Sequence, residues 1–185
     1  MAKRVCPYWV GYLLTSPLRK LFENPYRLFG DLVREGMIVI EPGSGMGYFT
    51  IPLAEMVGPS GKVIAIDIEP KMIAVLEKRA TRAGMIERIE RRLCEADRLP
   101  IKDLRESADL VVVIHMLHET SDQGRFLDQL YHALKKNGKL YIAEPRGHVS
   151  KKDFESSVDL AKAQGFITVE ESIDLKGCKA LLQKI

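Results

Sequence analysis

Met37-Ile38-Val39-Ile40-Glu41-Pro42-Gly43-Ser44-Gly45-Met46-Gly47 opens the regular part of this 185-residue chain. Its apolar residues make a short strand over 37–41, Pro42-Gly43 stops it, and helical spacing follows over 48–57. Glycines at 43, 45 and 47 permit a sharp turn and let the backbone approach a ligand with no Cβ in the way. In an open parallel sheet, ligands collect beyond the carboxyl ends of the strands, where such a loop sits. A glycine loop alone also fits a plain tight turn. Its place after a first strand and before a helix makes it a binding motif.

The alternation continues downstream. Residues 62–68 read as strand, and 70–83 as a helix with Pro70 in its first turn and Gly84 past its end. Residues 88–94 are strand again. The run 109–114 is the most apolar and β-branched, as suits a strand buried on both faces. A helix over 123–136 ends at Asn137-Gly138, and 139–143 is the fifth strand. Ser150 with Asp153 has capping-box spacing for a helix reaching 164. Residues 166–170 and 178–183 form an antiparallel hairpin around Lys176-Gly177, at the sheet edge. Strands separated by single helices pair in parallel, with right-handed crossovers. The expectation is an α/β fold of three layers, α/β/α, with seven strands.

Upstream, Asn24-Pro25 starts a helix, because Asn caps and Pro fits the first helical position. Leu28, Phe29, Leu32 and Val33 fall on one face, and Gly36 follows the last turn; 17–22 is an earlier short helix. So short a segment has no core of its own. Residues 1–36 are therefore expected to be a helical lid or extension on a domain spanning 37–185. Within the extension, 25–35 pads the domain and 8–14 forms the lid, with Tyr8, Trp9 and Tyr12 as aromatic walls for an acceptor or as packing.

Hydrophobic residues are 46% and charged residues 29% of the chain, a balance that excludes disorder. The longest apolar run, 110–114, is far below the roughly 20 residues of a membrane span. No signal-peptide core is visible, and three cysteines without CxxC spacing point to reduced thiols. The expected location is the cytoplasm. Net charge is +3, from 28 basic and 25 acidic residues. That is too small an excess to imply nucleic acid.

Two ligand classes compete for the glycine loop. A dinucleotide fingerprint needs a third glycine where Tyr48 stands, and Glu41 would repel a pyrophosphate. A carboxylate there suits a ligand with a positive ammonium and no phosphate, such as S-adenosylmethionine (SAM). Asp67, ending the second strand, has the chemistry to accept from ribose hydroxyls, although NAD enzymes also place an acid there. Asp97, after the third strand, suits an adenine amino group or else caps a loop turn.

These stretches together resemble the class I SAM-dependent methyltransferases over about residues 37–185. The acidic-x-Gly-x-Gly-x-Gly loop carries most of the likeness, with 63–67, 95–97 and 110–115 in support. Among subgroups the chain looks similar to the small-molecule group that includes quinone-biosynthesis and arsenite methyltransferases. The resemblance implies a Rossmann-like sheet of order 3-2-1-4-5-7-6 with the last strand antiparallel. It also implies that SAM is bound, and S-adenosylhomocysteine released, by Glu41, Gly43, Ser44, Gly45, Gly47, Asp67, Ile68, Ala96, Asp97 and His115.

Methyl transfer asks the protein chiefly to position and desolvate, and a base is needed only where the acceptor must lose a proton. His118 is the candidate base, with Glu119 to orient it or to bind substrate. Glu144 and His148 form a second cluster after the fifth strand, Glu144 as a substrate ligand and His148 as a catalytic group. The competing reading is a capped strand end with surface histidines. No metal is assigned. The Asn/Asp-Pro-Pro-aromatic tetrapeptide of base-amino methyltransferases is absent after the fourth strand. The basic residues Lys78, Arg79, Arg82, Arg88, Arg91 and Arg92 read as a solvated face. The expected partner is thus a small-molecule methyl acceptor, neither membrane nor nucleic acid. A non-catalytic SAM-binding regulatory module, an RNA methyltransferase and a nicotinamide-dependent oxidoreductase are the alternatives.

Overall fold

Every expected strand is present, in the order that the family resemblance implies. The structure, a computed structural model, describes residues 23–96, 98–145, 147–173 and 177–185. The expected helix at 17–22, Cys6, the lid residues Tyr8, Trp9 and Tyr12, and Asp97 lie outside the described residues. The seven-stranded sheet runs β3-β2-β1-β4-β5-β7-β6, and the chain divides into two compact units between Cys94 and Glu95.

In the first unit, β1 (Ile38–Pro42) pairs in parallel with β2 (Lys62–Asp67), Val39 opposite Val63. β2 pairs in parallel with β3 (Ile89–Leu93). Residues 86–88, next to that strand, make a 3-10 turn. Val39, Ile40, Val63, Ile64, Ala65 and Ile66 are at most 1% exposed, so β1 and β2 have no wet face. Helix α2 (Thr50–Met56) starts two residues later than its apolar spacing suggests. Helix α3 (Pro70–Arg82) begins with a Glu69 cap, whose carboxylate accepts from the Lys71 amide.

Helix α1 (Pro25–Phe29) starts as read, the Asn24 side chain accepting from the Tyr26 amide. It is only one turn long, because Gly30 stops it. Phe29 and Val33 are still buried, and Phe29 meets the Phe49 ring edge-on at 6.0 Å. The Tyr26 hydroxyl donates to Glu55 on α2. Burial and that carboxylate push the Tyr26 hydroxyl up to about 12.

In the second unit, β4 (Ala108–Ile114) pairs in parallel with β5 (Leu134–Pro145). β5 runs antiparallel to β7 (Gly177–Lys184), which runs antiparallel to β6 (Phe166–Ile173). Helix α4 (Gln123–Ala133) ends three residues earlier than expected. Leu134 is fully buried and pairs with Ala108, so tertiary packing draws it into the strand. Asn137, expected to end a helix, takes φ +64 inside β5, where the register shifts between Ala108 and Leu110. Helix α5 (Lys151–Ala163) has the expected cap, the Ser150 hydroxyl accepting from the Asp153 amide at 3.1 Å. Strand β6 exposes Ile167 and Val169, 47% and 50%.

Phe29→Ala should lower unfolding free energy by about 3–5 kcal/mol, the usual cost of emptying a buried aromatic site. Urea unfolding of the full chain measures this. A loss below about 1 kcal/mol would mean that α1 is an appendage and not part of the folded unit.

Candidate active site

β1 delivers Glu41 to its carboxyl end, where the residue is 4% exposed. The loop that follows is folded back on β2. The Gly43 and Ser44 amides donate to the Ile66 carbonyl at 2.8 and 3.0 Å, and the Gly45 amide donates to Asp67 Oδ2 at 2.7 Å. Three successive loop amides are thus used inside the protein. A phosphate cradle needs such amides aimed at the ligand, so this loop is not built for pyrophosphate. Tyr48, at the third dinucleotide glycine, is a packing residue: it meets Phe49 edge-on, and its hydroxyl donates to the Glu23 carbonyl at 2.7 Å.

Gly47 has φ +82, and a Cβ there would lie 2.3 Å from the Leu76 side chain. Gly45 has φ +54, but a Cβ there would meet nothing within 4 Å. Its bare Cα therefore faces open space, the shape of a cradle a ligand fills. The Ser44 hydroxyl beside it is buried and has no hydrogen-bond partner among the described residues. An open approach, a waiting hydroxyl and two acids fit a cationic, hydroxyl-rich ligand.

Asp67 is 8% exposed, and its other oxygen accepts from the Glu69 amide at 2.9 Å. Burial raises its carboxyl above the ordinary value, against amide hydrogen bonds from Glu69, Gly45 and Ile68 that lower it. Ionising Asp67 therefore opposes folding. The stability tied to this group is complete below the ordinary carboxylate range and is lost as pH rises through the raised value. Each carboxylate oxygen keeps a lone pair for a further donor. Ile68, next in the chain, is 39% exposed.

The basic stretch is less solvated than its sequence suggests. The Arg79 guanidinium donates to the Met46 carbonyl of the glycine loop, and burial pushes its pKa below the usual arginine value. Arg88 reaches the Ala54 carbonyl at 3.3 Å, and Arg92 pairs with Glu90 at 2.6 Å. Arg79 was invisible as a loop support because helical charge spacing alone cannot show which carbonyl an arginine meets.

In the second unit, Ala96 is exposed with φ +38. His115 follows β4 with φ +56, its amide donating to the Ala143 carbonyl at 2.8 Å. The chain then makes a 3-10 turn, Leu117–Glu119. That turn aims the His118 ring at Glu144, from the end of β5. Nδ1 lies 2.6 Å from Glu144 Oε2, and the His118 amide donates to Oε1 at 3.2 Å. The Glu144 side chain is 1% exposed and that of His118 21%. Sequence reading separates Glu144 from His118 as two clusters, but the geometry joins them. The exposed His148 ring stands 5.7 Å from that of His118. Among the described residues no three His, Cys, Asp or Glu side chains converge to hold a metal, and no helix is long and apolar enough to cross a membrane.

Residues 33–177 match the family described as Methyltransferase domain. The chain belongs to the class I SAM-dependent methyltransferase family. The domain is 32% identical over 127 residues to a demethylmenaquinone methyltransferase of Lactobacillus johnsonii, covering 67% of this chain and 51% of that protein. It is 30% identical over 112 residues to a ubiquinone/menaquinone biosynthesis C-methyltransferase of Pasteurella multocida, covering 60% and 41%. The chain thus spans about half the length of the curated relatives it matches. The crystal structure of a SAM-dependent methyltransferase from Aquifex aeolicus shares the fold, with a TM-score of 0.85 at 22% identity over 97% of this chain and 98% of that one. SAM is accordingly the cofactor that the cradle is measured against, and the cradle fits it.

Asp67→Asn should weaken SAM binding by about 1.5–3 kcal/mol near neutral pH, the range for hydrogen bonds to a charged acceptor. In the wild-type domain, protonating Asp67 removes the same acceptor. Affinity should therefore drop on acidification, beginning above the usual carboxylate range, and the variant should show a flatter profile. Titration calorimetry across pH reads both effects. Equal affinity and equal acid dependence in the two proteins would place the ribose elsewhere.

Proposed function

We propose that this domain transfers the methyl group of SAM to a small hydroxylated aromatic acceptor of the kind handled in quinone biosynthesis, with His118 taking the acceptor's proton. One observation carries the reading: a buried carboxylate, Glu144, holds the Nδ1 side of a partly exposed histidine. An ionised carboxylate can only accept, so against one Nδ1 is the donor, and a neutral ring then carries its lone pair on Nε2. That is the state of a general base. The quinone-biosynthesis relatives support the acceptor class.

Bound SAM supplies a methyl carbon activated by its sulfonium. The glycine loop, Glu41 and Asp67 orient that ligand, and Ser44 offers it a buried hydroxyl. The acceptor's O–H bond breaks, its proton joins Nε2 and its electron pair stays on the acceptor. Glu144 stabilises the imidazolium that results. A phenolate is nucleophilic at oxygen and at its ring carbons, so the same base serves O- or C-methylation. In this reading His148 walls the acceptor side and Glu119 contacts the acceptor. The reduced quinol and the cytoplasm are the proposed substrate and setting.

With SAM and a demethylated naphthoquinol, wild-type protein should release S-adenosylhomocysteine. His118→Ala should slow that release by about 10²–10⁴-fold, the usual worth of a positioned base, while SAM affinity stays unchanged. Wild-type protein that binds SAM yet methylates no hydroxylated aromatic would favour a regulatory module instead.

A further inference from the structure

The turn that carries His118 is held by residues with no place in the reading above. The Leu117 carbonyl, one residue before His118, accepts from the Thr120 hydroxyl at 2.7 Å and from Gln123 Nε2 at 3.1 Å. Gln123 is the first residue of α4. Its Oε1 accepts from the Ser157 hydroxyl on α5 at 2.7 Å. Ser157 is 5% exposed, Thr120 8% and Leu117 fully buried. The orientation of the Gln123 amide is fixed. A carbonyl can only accept, so Gln123 must present its amide NH₂ to Leu117 and its oxygen to Ser157. Ser157 has a single hydroxyl proton, and Gln123 Oε1 at 2.7 Å is a nearer acceptor for it than the Asp153 carbonyl at 3.0 Å.

Glu144 and Ser157 belong to consecutive elements, β5 and α5. The 3-10 turn is therefore tied twice to one β–α segment: through the His118 ring on Glu144, and through Leu117, Gln123 and Ser157. Gln123 is only half-buried, but the groups it joins, Leu117 and Ser157, are buried, so water is a poor substitute for either lost bond. We propose that Gln123 and Ser157 are positioning residues that hold His118 on Glu144 in its proton-accepting tautomer. This rests on the reading of His118 as base. The relay predicts selective damage: without it, His118 is displaced while the cofactor cradle, in the other unit, keeps its own contacts.

The test uses the full chain and three variants: Gln123→Met, similar in length but unable to donate or accept through nitrogen and oxygen; Ser157→Ala; and Ser157→Thr, which keeps the hydroxyl. Nitrogen–proton spectra of the cofactor-free protein report the His118 Nδ1–H, assigned by its disappearance in His118→Ala. We expect its exchange with water to be about tenfold faster in Gln123→Met and Ser157→Ala, the scale of one lost hydrogen bond, and near wild type in Ser157→Thr. With SAM present, methyl transfer to an ordinary phenol should fall by about tenfold in the first two variants, as misplacement of a reacting group costs. An acidic phenol that is already ionised needs no base, and its rate should change less than twofold. Unchanged Nδ1–H exchange in Gln123→Met and Ser157→Ala, or equal losses with both phenols, overturns the proposal. Faster exchange in a protein whose wild type methylates neither phenol leaves the relay standing and removes the function it was meant to serve.

Discussion

Asp67 takes the amide hydrogen of Gly45, and that one bond ties the end of β2 to the loop leaving β1. The geometry around it follows from the need to place a carboxylate in a nearly water-free position. Burial makes ionisation costly, and the Glu69 and Gly45 amides offset part of that cost. Gly43 and Ser44, bonded to Ile66, bring the loop close enough for the contact. Arg79 holds the far side of the loop through Met46. A loop braced in this way spends the Gly43, Ser44 and Gly45 amides inside the protein, yet leaves the Gly45 Cα bare. The choice of ligand is thus made by which groups the protein has already used.

The second unit solves a similar problem with other means. A carboxylate 1% exposed at the end of β5 needs donors, and the His118 ring and amide provide two from a single residue. Such bidentate contact requires backbone and ring to approach together, which a tight 3-10 turn achieves and an extended chain does not. His115, in a left-handed conformation three residues earlier, begins the change of direction. Non-glycine residues accept that conformation where surrounding contacts enforce it. Here the Ala143 carbonyl on β5 fixes its amide.

Local chemistry made much of this legible in advance. The strand–loop–helix of 37–57, the Asn24-Pro25 start and the Ser150–Asp153 cap depend on neighbours within a few residues, and each is present, the helix of the first starting two residues late. What failed depended on distant partners. Leu134 leaves its helix because a strand position opposite Ala108 buries it, and Asn137 then bends inside a strand where its type suggests a helix end. Arg79 resembled a solvated charge until its partner carbonyl was known. Glu144 and His118 are 26 residues apart, so no spacing rule links them. The Gln123–Ser157 contact, across 34 residues, has no signature in composition or periodicity.

The Glu144–His118 pair, its carboxylate almost wholly buried, also bears on how this domain responds to selection. A carboxylate in a nearly dry place, with its partner, is seldom the most stable occupant of its volume, and well-packed apolar replacements often equal or exceed such a pair. A campaign that ranked variants by melting temperature alone would tend to accept such replacements and discard the pair. Ancestral or laboratory lineages freed from turnover should lose these residues early, while the apolar interior around Val39 and Val111 persists. Retention of both side chains in a thermostable descendant would mark a lineage in which the chemistry was still being used.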